Sequence, residues 1–215
     1  MPAINESKLK EEIRRKSPRE LYILVDDDPV RPDFYAQELF ASAMPEGGQR
    51  NVYYGDELDP QQLLEEVRSP SLWDPQKFIL LRQAERLTAK QWEALLPLLK
   101  EPFERSLLVI QCAKADARLK FFQAAAKSDD RVGYLKLEPA RAGEWNLWLQ
   151  SFLKAEGKEL DQDARNLLAE WTGTSLFELR QLVQKAGLYS GGDQISREHV
   201  RAVGARTAPE DVFQF

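Results

Sequence analysis

Residues 21–29, which read LYILVDDDP, decide the fold class, because five apolar residues run without interruption into three aspartates and a proline. An unbroken apolar run of this length is typical of a strand that is covered on both faces of a parallel sheet. Four more short runs, rich in β-branched, aromatic and leucine residues, occur at 51–54, 78–81, 107–111 and 132–137. We therefore predict five strands, of which the longer apolar runs are buried.

The segments between these strands have helical periodicity. Apolar side chains occur three and four positions apart in residues 33–43, 60–67, 89–99 and 117–126. We therefore predict that residues 1–139 form an α/β domain with a parallel sheet and flanking helices. Strand signals stop after Pro139, and helical patterns at 142–155, 162–171, 175–190 and 196–203 predict a small helical domain over residues 140–206. Residues 207–215 are predicted to be a linker.

The composition excludes several classes of protein. Thirty basic and 35 acidic side chains give a formal charge of -5, which disfavours nucleic acid as the sole partner. Cys112 is the only cysteine, so an intrachain disulfide and a multi-cysteine metal site are excluded. The sequence has no continuous apolar stretch of signal-peptide or membrane-spanning length. We expect a cytoplasmic protein with no membrane partner, no metal and no cofactor.

The turn after the first strand is where an α/β protein of this type would hold a nucleotide phosphate. That chemistry needs the pattern G-x-x-x-x-G-K-[ST], whose backbone amides and lysine neutralise the anion. Here three carboxylates, from Asp26 to Asp28, would repel a phosphate, and Pro29 has no amide proton. We predict that the chain hydrolyses no nucleotide and has no catalytic residues.

Paired acids after an apolar strand also open the receiver domains of response regulators, where they hold magnesium. A receiver needs a phosphorylatable aspartate at the end of its third strand. In this chain the third strand ends in Arg82 and Gln83, and the nearest aspartate, Asp74, precedes it. A magnesium-dependent phosphoacceptor that uses Asp26 and Asp27 remains an alternative hypothesis.

Residues 68–75, RSPSLWDP, place Leu72 and Trp73 in a short segment between two prolines. Such a turn is usually near the surface, and an aromatic anchor there is typical of a protein interaction site. Apolar residues that precede a buried strand also commonly pack beneath it. The residues alone favour packing beneath the strand over an exposed interaction site.

Four stretches taken in order resemble the delta subunit of the DNA polymerase III clamp loader: residues 21–29, 57–87 (ELDPQQLLEEVRSPSLWDPQKFILLRQAERL), 106–127 and 144–203. The resemblance implies an AAA+ type fold without the nucleotide motif. It also implies that Leu72 and Trp73, in a turn shaped by Pro70 and Ser71, form a hydrophobic wedge that enters a pocket on the beta sliding clamp and helps to open the ring. Trp73 stands where the family more often has phenylalanine.

The same resemblance implies the partners. They are the beta sliding clamp, the gamma/tau and delta prime subunits of the loader, and primed DNA indirectly within the complex. It further implies that residues 207–215 lead into a C-terminal collar domain. An inactive AAA+ adaptor with another partner in replication or repair is a second alternative, because it would share the fold.

Overall fold

The computed structural model describes residues 4–69, 76–103 and 105–204, with the backbone alone at Ala142. These residues form two compact units, one that ends at Glu138 and one that begins at Pro139. The division lies one residue before the boundary predicted from the sequence. The predicted wedge and the predicted linker, residues 70–73 and 207–215, lie outside the described residues.

The first unit is built on one parallel sheet, in the order β2-β3-β4-β1-β5. All five predicted strands are present, and their order places the first strand between the fourth and the fifth. The strands and helices, in chain order, are α1 (Glu6–Arg14), β1 (Leu21–Val25), α2 (Val30–Ala43), β2 (Arg50–Tyr54), α3 (Pro60–Arg68), β3 (Lys77–Arg82), α4 (Ala89–Ala94), α5 (Pro97–Lys100), β4 (Ser106–Cys112), α6 (Lys120–Ala125) and β5 (Val132–Lys136).

Both faces of the sheet are covered, as the unbroken apolar runs predict. In β1, Ile23 points into a core with side chains of α3, α4 and α6. Its neighbours Tyr22 and Leu24 point into a second core with α1 and α2. Because successive side chains of a strand point to opposite faces, a strand between two helical layers must be apolar at every position.

One predicted helix differs from the structure. The sequence pattern predicts a single helix over residues 89–99, but the structure has two short helices, α4 and α5, with Pro97 at the first position of α5. Proline has no amide proton and clashes with the preceding turn, so it is tolerated at the start of a helix and not inside one. The helical periodicity continued through the break because α4 buries Trp92 and α5 buries Leu98 and Leu99 in the same core.

The described part of the second unit, residues 139–204, contains four helices: α7 (Ala142–Glu156), α8 (Gln162–Thr172), α9 (Leu176–Ser190) and α10 (Arg197–Gly204). The expectation that strands stop after Pro139 is wrong in one respect, since β6 (Glu159–Leu160) and β7 (Gln194–Ile195) form a two-stranded parallel ribbon. Two-residue strands are too short to produce an alternating pattern.

Two helices of this unit end at a glycine. Gly157 follows α7 and Gly191 follows α9, each with φ of 62°, a left-handed conformation that glycine adopts without strain. The longest described helices, α7 and α9, have 15 residues each. Within the described ranges no helix has the length and apolar character needed to cross a bilayer.

Candidate functional site

The acidic turn, residues 26–28, lies at the carboxyl edge of the sheet. The side chains of Asp26 and Asp28 form hydrogen bonds with other groups of this chain. The Asp26 carboxylate accepts hydrogen bonds from the Arg31 guanidinium, at 2.8 Å and 2.9 Å, and from the backbone N–H of Asp28, at 3.0 Å. Arg31 also donates to the backbone carbonyl of Glu138. Burial raises the pKa of Asp26 to about 6, and the backbone donor and Arg31 oppose that rise.

At the N-terminus of α2, which follows this turn, a carboxylate of the chain and two prolines reduce the number of amides available to an anion. A phosphate at a helix N-terminus is held by the unpaired N–H groups of the first turn. Here the Val30 N–H donates to Asp28 Oδ1 at 3.0 Å, and Pro29 and Pro32 have no N–H to offer. The carboxylates of Asp26 and Asp28 thus accept the hydrogen bonds that a phosphate would need.

The same geometry bears on the phosphoacceptor alternative. At the end of β3, Arg82 pairs with Asp33 of α2, with Nη2 and Oδ1 2.6 Å apart. Asp26, one of the two acids that this hypothesis assigns to magnesium, is buried against Arg31. Asp74 lies outside the described residues. Among the residues that the structure describes, no group of three or more His, Cys, Asp or Glu side chains could hold a metal ion.

The second candidate site lies at the opposite, amino edge of the sheet, between the end of α3 and the start of β3. The predicted wedge falls in this connection, and its two flanks are well defined. The Glu65 carbonyl accepts from Ser69 Oγ at 2.7 Å, and the Val67 carbonyl accepts from Ser106 Oγ of β4 at 2.9 Å. Side chains therefore add hydrogen bonds to the carbonyls at the end of α3, where the Glu65 carbonyl also accepts from the Ser69 backbone N–H at 2.9 Å.

Lys77, the first residue of β3, joins the two flanks. Its buried ammonium donates to the Glu66 carbonyl at 2.8 Å and to Glu66 Oε1 at 2.9 Å. Asn51 of β2 donates to the same carboxylate oxygen at 3.0 Å. We call Asn51, Glu66, Lys77 and Ser106 the Lys77 junction. It fixes the last turn of α3 to three strands, so the residues on either side of the predicted wedge are held in place.

The sequence reasoning missed every member of the Lys77 junction. Lys77 stands at the border of an apolar run, where a lysine usually indicates the solvated end of a strand. Its partner Glu66 is 11 positions away and lies on a helix face that is otherwise polar. A buried lysine must be paired, but which glutamate pairs with it depends on the tertiary fold.

Comparison with solved structures defines the class of fold. The chain is similar to the Bacillus subtilis DNA clamp loader delta protein YqeN, with a TM-score of 0.54, 15% identity, and coverage of 92% of this chain and 61% of that one. It is similar to the Thermotoga maritima RuvB Holliday junction branch migration motor, with a TM-score of 0.64, 13% identity, and coverage of 94% and 67%. It is also similar to NtrX from Brucella abortus in complex with ATP, with a TM-score of 0.60, 16% identity, and coverage of 97% and 56%.

These likenesses confirm the predicted fold class, an AAA+-like parallel sheet with flanking helices followed by a helical unit. At such low identity they show the fold alone. Residues 49–133 match the family model for the DNA polymerase III delta subunit. The resemblance to the delta-subunit family is thereby confirmed over those residues, which run from β2 to the start of β5 and include the predicted wedge. No curated protein matches the chain. The chain spans only 61% of the length of YqeN.

Proposed function

We propose that this chain is the clamp-contacting part of a clamp-loader delta subunit. In this proposal Leu72 and Trp73 enter a pocket on the beta sliding clamp and help to open the ring, while Pro70 and Ser71 shape the turn. The observation that carries the proposal is the match of residues 49–133 to the delta-subunit family, because this range contains the wedge together with the Lys77 junction that flanks it.

The proposal assigns no catalytic step to this chain. The filled turn after β1 supports this, because Asp26 and Asp28 accept the hydrogen bonds that a nucleotide phosphate would need. Energy from ATP would come from other subunits of the loader, the gamma/tau and delta prime proteins. Primed DNA would be met within that complex, in the cytoplasm. An inactive AAA+ adaptor would have the same fold and differ only in its partner, so binding to the clamp separates the two functions.

Titration calorimetry of this chain with purified beta sliding clamp tests the proposal. The double variant Leu72→Ala/Trp73→Ala should lose at least about 2 kcal/mol of binding free energy, because buried aromatic and aliphatic anchors dominate interfaces of this kind. The chain offers a matched control, Leu188→Ala/Tyr189→Ala, which removes an adjacent leucine and aromatic that are 82% and 61% exposed on the helical unit. The control should bind like the parent chain.

Two results would contradict the proposal. One is a parent chain that does not bind the clamp. The other is a folded Leu72→Ala/Trp73→Ala variant that binds the clamp as tightly as the parent does. Incubation with acetyl phosphate and magnesium addresses the phosphoacceptor alternative, since stable phosphorylation of Asp74 would favour that function over clamp binding.

A further inference from the structure

The helical unit has a groove that is lined by its own residues. Helices α7 and α8 and the turn after α8 enclose a volume of about 440 Å³, which is within the range of roughly 300–1,000 Å³ that is typical of ligand sites. Gln162, Arg165, Asn166 and Ala169 of α8 line it, and their spacing of three and four positions places them on one face of the helix. This face of α8 is polar, and it borders a concave surface.

Arg165 is the one ionisable residue that lines the groove. Its Nη2 donates to Asn146 Oδ1 of α7 at 2.6 Å, and this neutral amide is its hydrogen-bond partner. Within the described ranges Arg165 forms no ion pair with a carboxylate. A half-buried guanidinium that retains donors is suited to a planar carboxylate, which it binds through two parallel hydrogen bonds. The groove therefore has the charge and the donors for one carboxylate.

The other polar groups of the groove are carboxamides. Gln162 Nε2 donates to Asn166 Oδ1 at 3.0 Å, which orients both groups along the α8 face. Beneath them Trp145 is buried, and its indole N–H donates to Thr172 Oγ1 at 3.1 Å, which fixes the ring. Carboxamides both donate and accept, so they match the N–H and C=O groups of a peptide backbone. This combination fits a peptide that carries a carboxylate better than it fits a bare anion.

The charge of the helical unit distinguishes an acidic peptide from a nucleic acid. Residues 139–204 contain eight Lys or Arg and nine Asp or Glu side chains, a formal charge of -1. A polyanion is held by many cations that act together, whereas the groove offers one. We propose that the groove binds an acidic peptide segment of another protein, with a side-chain carboxylate on Arg165 and the peptide backbone on the carboxamides.

Nuclear magnetic resonance on the whole ¹⁵N-labelled chain tests this proposal, through the Arg165 Nε–H signal and the carboxamide signals of Asn146, Gln162 and Asn166. The probes are the blocked peptide acetyl-Ala-Glu-Leu-amide and its counterpart acetyl-Ala-Gln-Leu-amide. The acidic peptide should cause saturable shifts at these groups. The neutral peptide should bind at least about tenfold more weakly, because it lacks the charge-assisted pair.

The matched variants are Arg165→Gln and Arg180→Gln, which remove the same charge from the same unit. Arg180 lies on α9 and does not line the groove. The shifts of the Asn146, Gln162 and Asn166 carboxamide signals should disappear in Arg165→Gln and persist in Arg180→Gln. The absence of saturable shifts, equal binding of the two peptides, or full binding by Arg165→Gln would overturn the proposal. A short single-stranded oligonucleotide that shifted the same signals at lower concentration than the acidic peptide would also overturn it, in favour of a nucleic acid.

Discussion

The buried ammonium of Lys77 allows a direct test of how the flanks of the predicted wedge are held. The substitution Lys77→Met keeps the length and the apolar stem of the side chain and removes its charge. The Glu66 carbonyl oxygen loses the hydrogen bond that it accepts from Lys77 Nζ at 2.8 Å. Glu66 Oε1 loses the one that it accepts from the same ammonium at 2.9 Å. The carboxylate keeps only the bond from Asn51. We expect the last turn of α3 to become less stable.

The size of the effect follows from burial. Loss of one partner from a buried ion pair costs about 3–5 kcal/mol because the other charge stays behind. The Glu66 side chain is 26% exposed, so water can reach it in part, and we expect a loss of about 2–3 kcal/mol. The pair between Lys120 and Glu93 is shorter, at 2.7 Å, but its side chains are 74% and 57% exposed. Lys120→Met should therefore cost much less stability than Lys77→Met, because water screens an exposed pair.

Urea unfolding followed by circular dichroism measures both variants, and clamp titration shows whether the junction also matters for binding. Each residue that must be ordered again on binding costs about 1–2 kcal/mol, so Lys77→Met should weaken clamp affinity by about tenfold or more. Equal losses of stability in Lys77→Met and Lys120→Met would refute the reasoning that burial sets the strength of these pairs. Reduced stability with parental clamp affinity would show that the junction holds the fold without positioning the wedge.

Three further predictions concern other parts of the chain. Because the pKa of Asp26 is raised to about 6, its contribution to stability should be fully present below roughly pH 4 and lost as the pH rises through about 6; Asp26→Asn should flatten urea stability over that interval. A Cβ at Gly55 would lie 2.3 Å from the Gln83 carbonyl oxygen, so Gly55→Ala should cost about 1–3 kcal/mol in thermal unfolding. The Ser196 N–H donates to His199 Nδ1 at 3.1 Å, so His199→Ala should lose about 0.5–2 kcal/mol in urea unfolding, while His199→Gln, which supplies another acceptor, should lose less.

The sequence predicted the sheet well because its strands are buried on both faces. β1 has the predicted bounds, and β3 extends by one residue at each end of the predicted apolar run, to Lys77 and Arg82. Those two residues are charged, so a prediction based on apolar runs does not include them in the strand. The break before Pro97 was missed for the opposite reason, since the apolar spacing continues across it. The ribbon of β6 and β7 depends on contacts between residues more than 30 positions apart.

The acidic turn could be interpreted from the sequence because its chemistry is local. Three carboxylates and a proline in one turn disfavour a nucleotide phosphate, because the charges repel it and the proline offers no amide donor. The structure adds that Asp28 caps the Val30 amide, which a short-range pattern can suggest. The contact between Ser106 and the Val67 carbonyl joins residues 39 positions apart, and no local pattern predicts it.

The two edges of the sheet place different requirements on the residues around them. Nucleotide chemistry in open α/β sheets takes place at the carboxyl ends of the strands, where free amides and a cation must face the ligand. Here Asp26 and Asp28 take up the amides at that edge, and Asp26 also pairs with the nearby cation of Arg31. A partner-binding segment at the amino edge needs only a connection whose two ends are fixed. Lys77 and Ser106 fix the end of α3 through the Glu66 and Val67 carbonyls, and neither contact involves a residue of the acidic turn. Among the described residues the acidic turn and the Lys77 junction share the sheet and no side chain, so a substitution in the acidic turn should leave the proposed clamp contact intact.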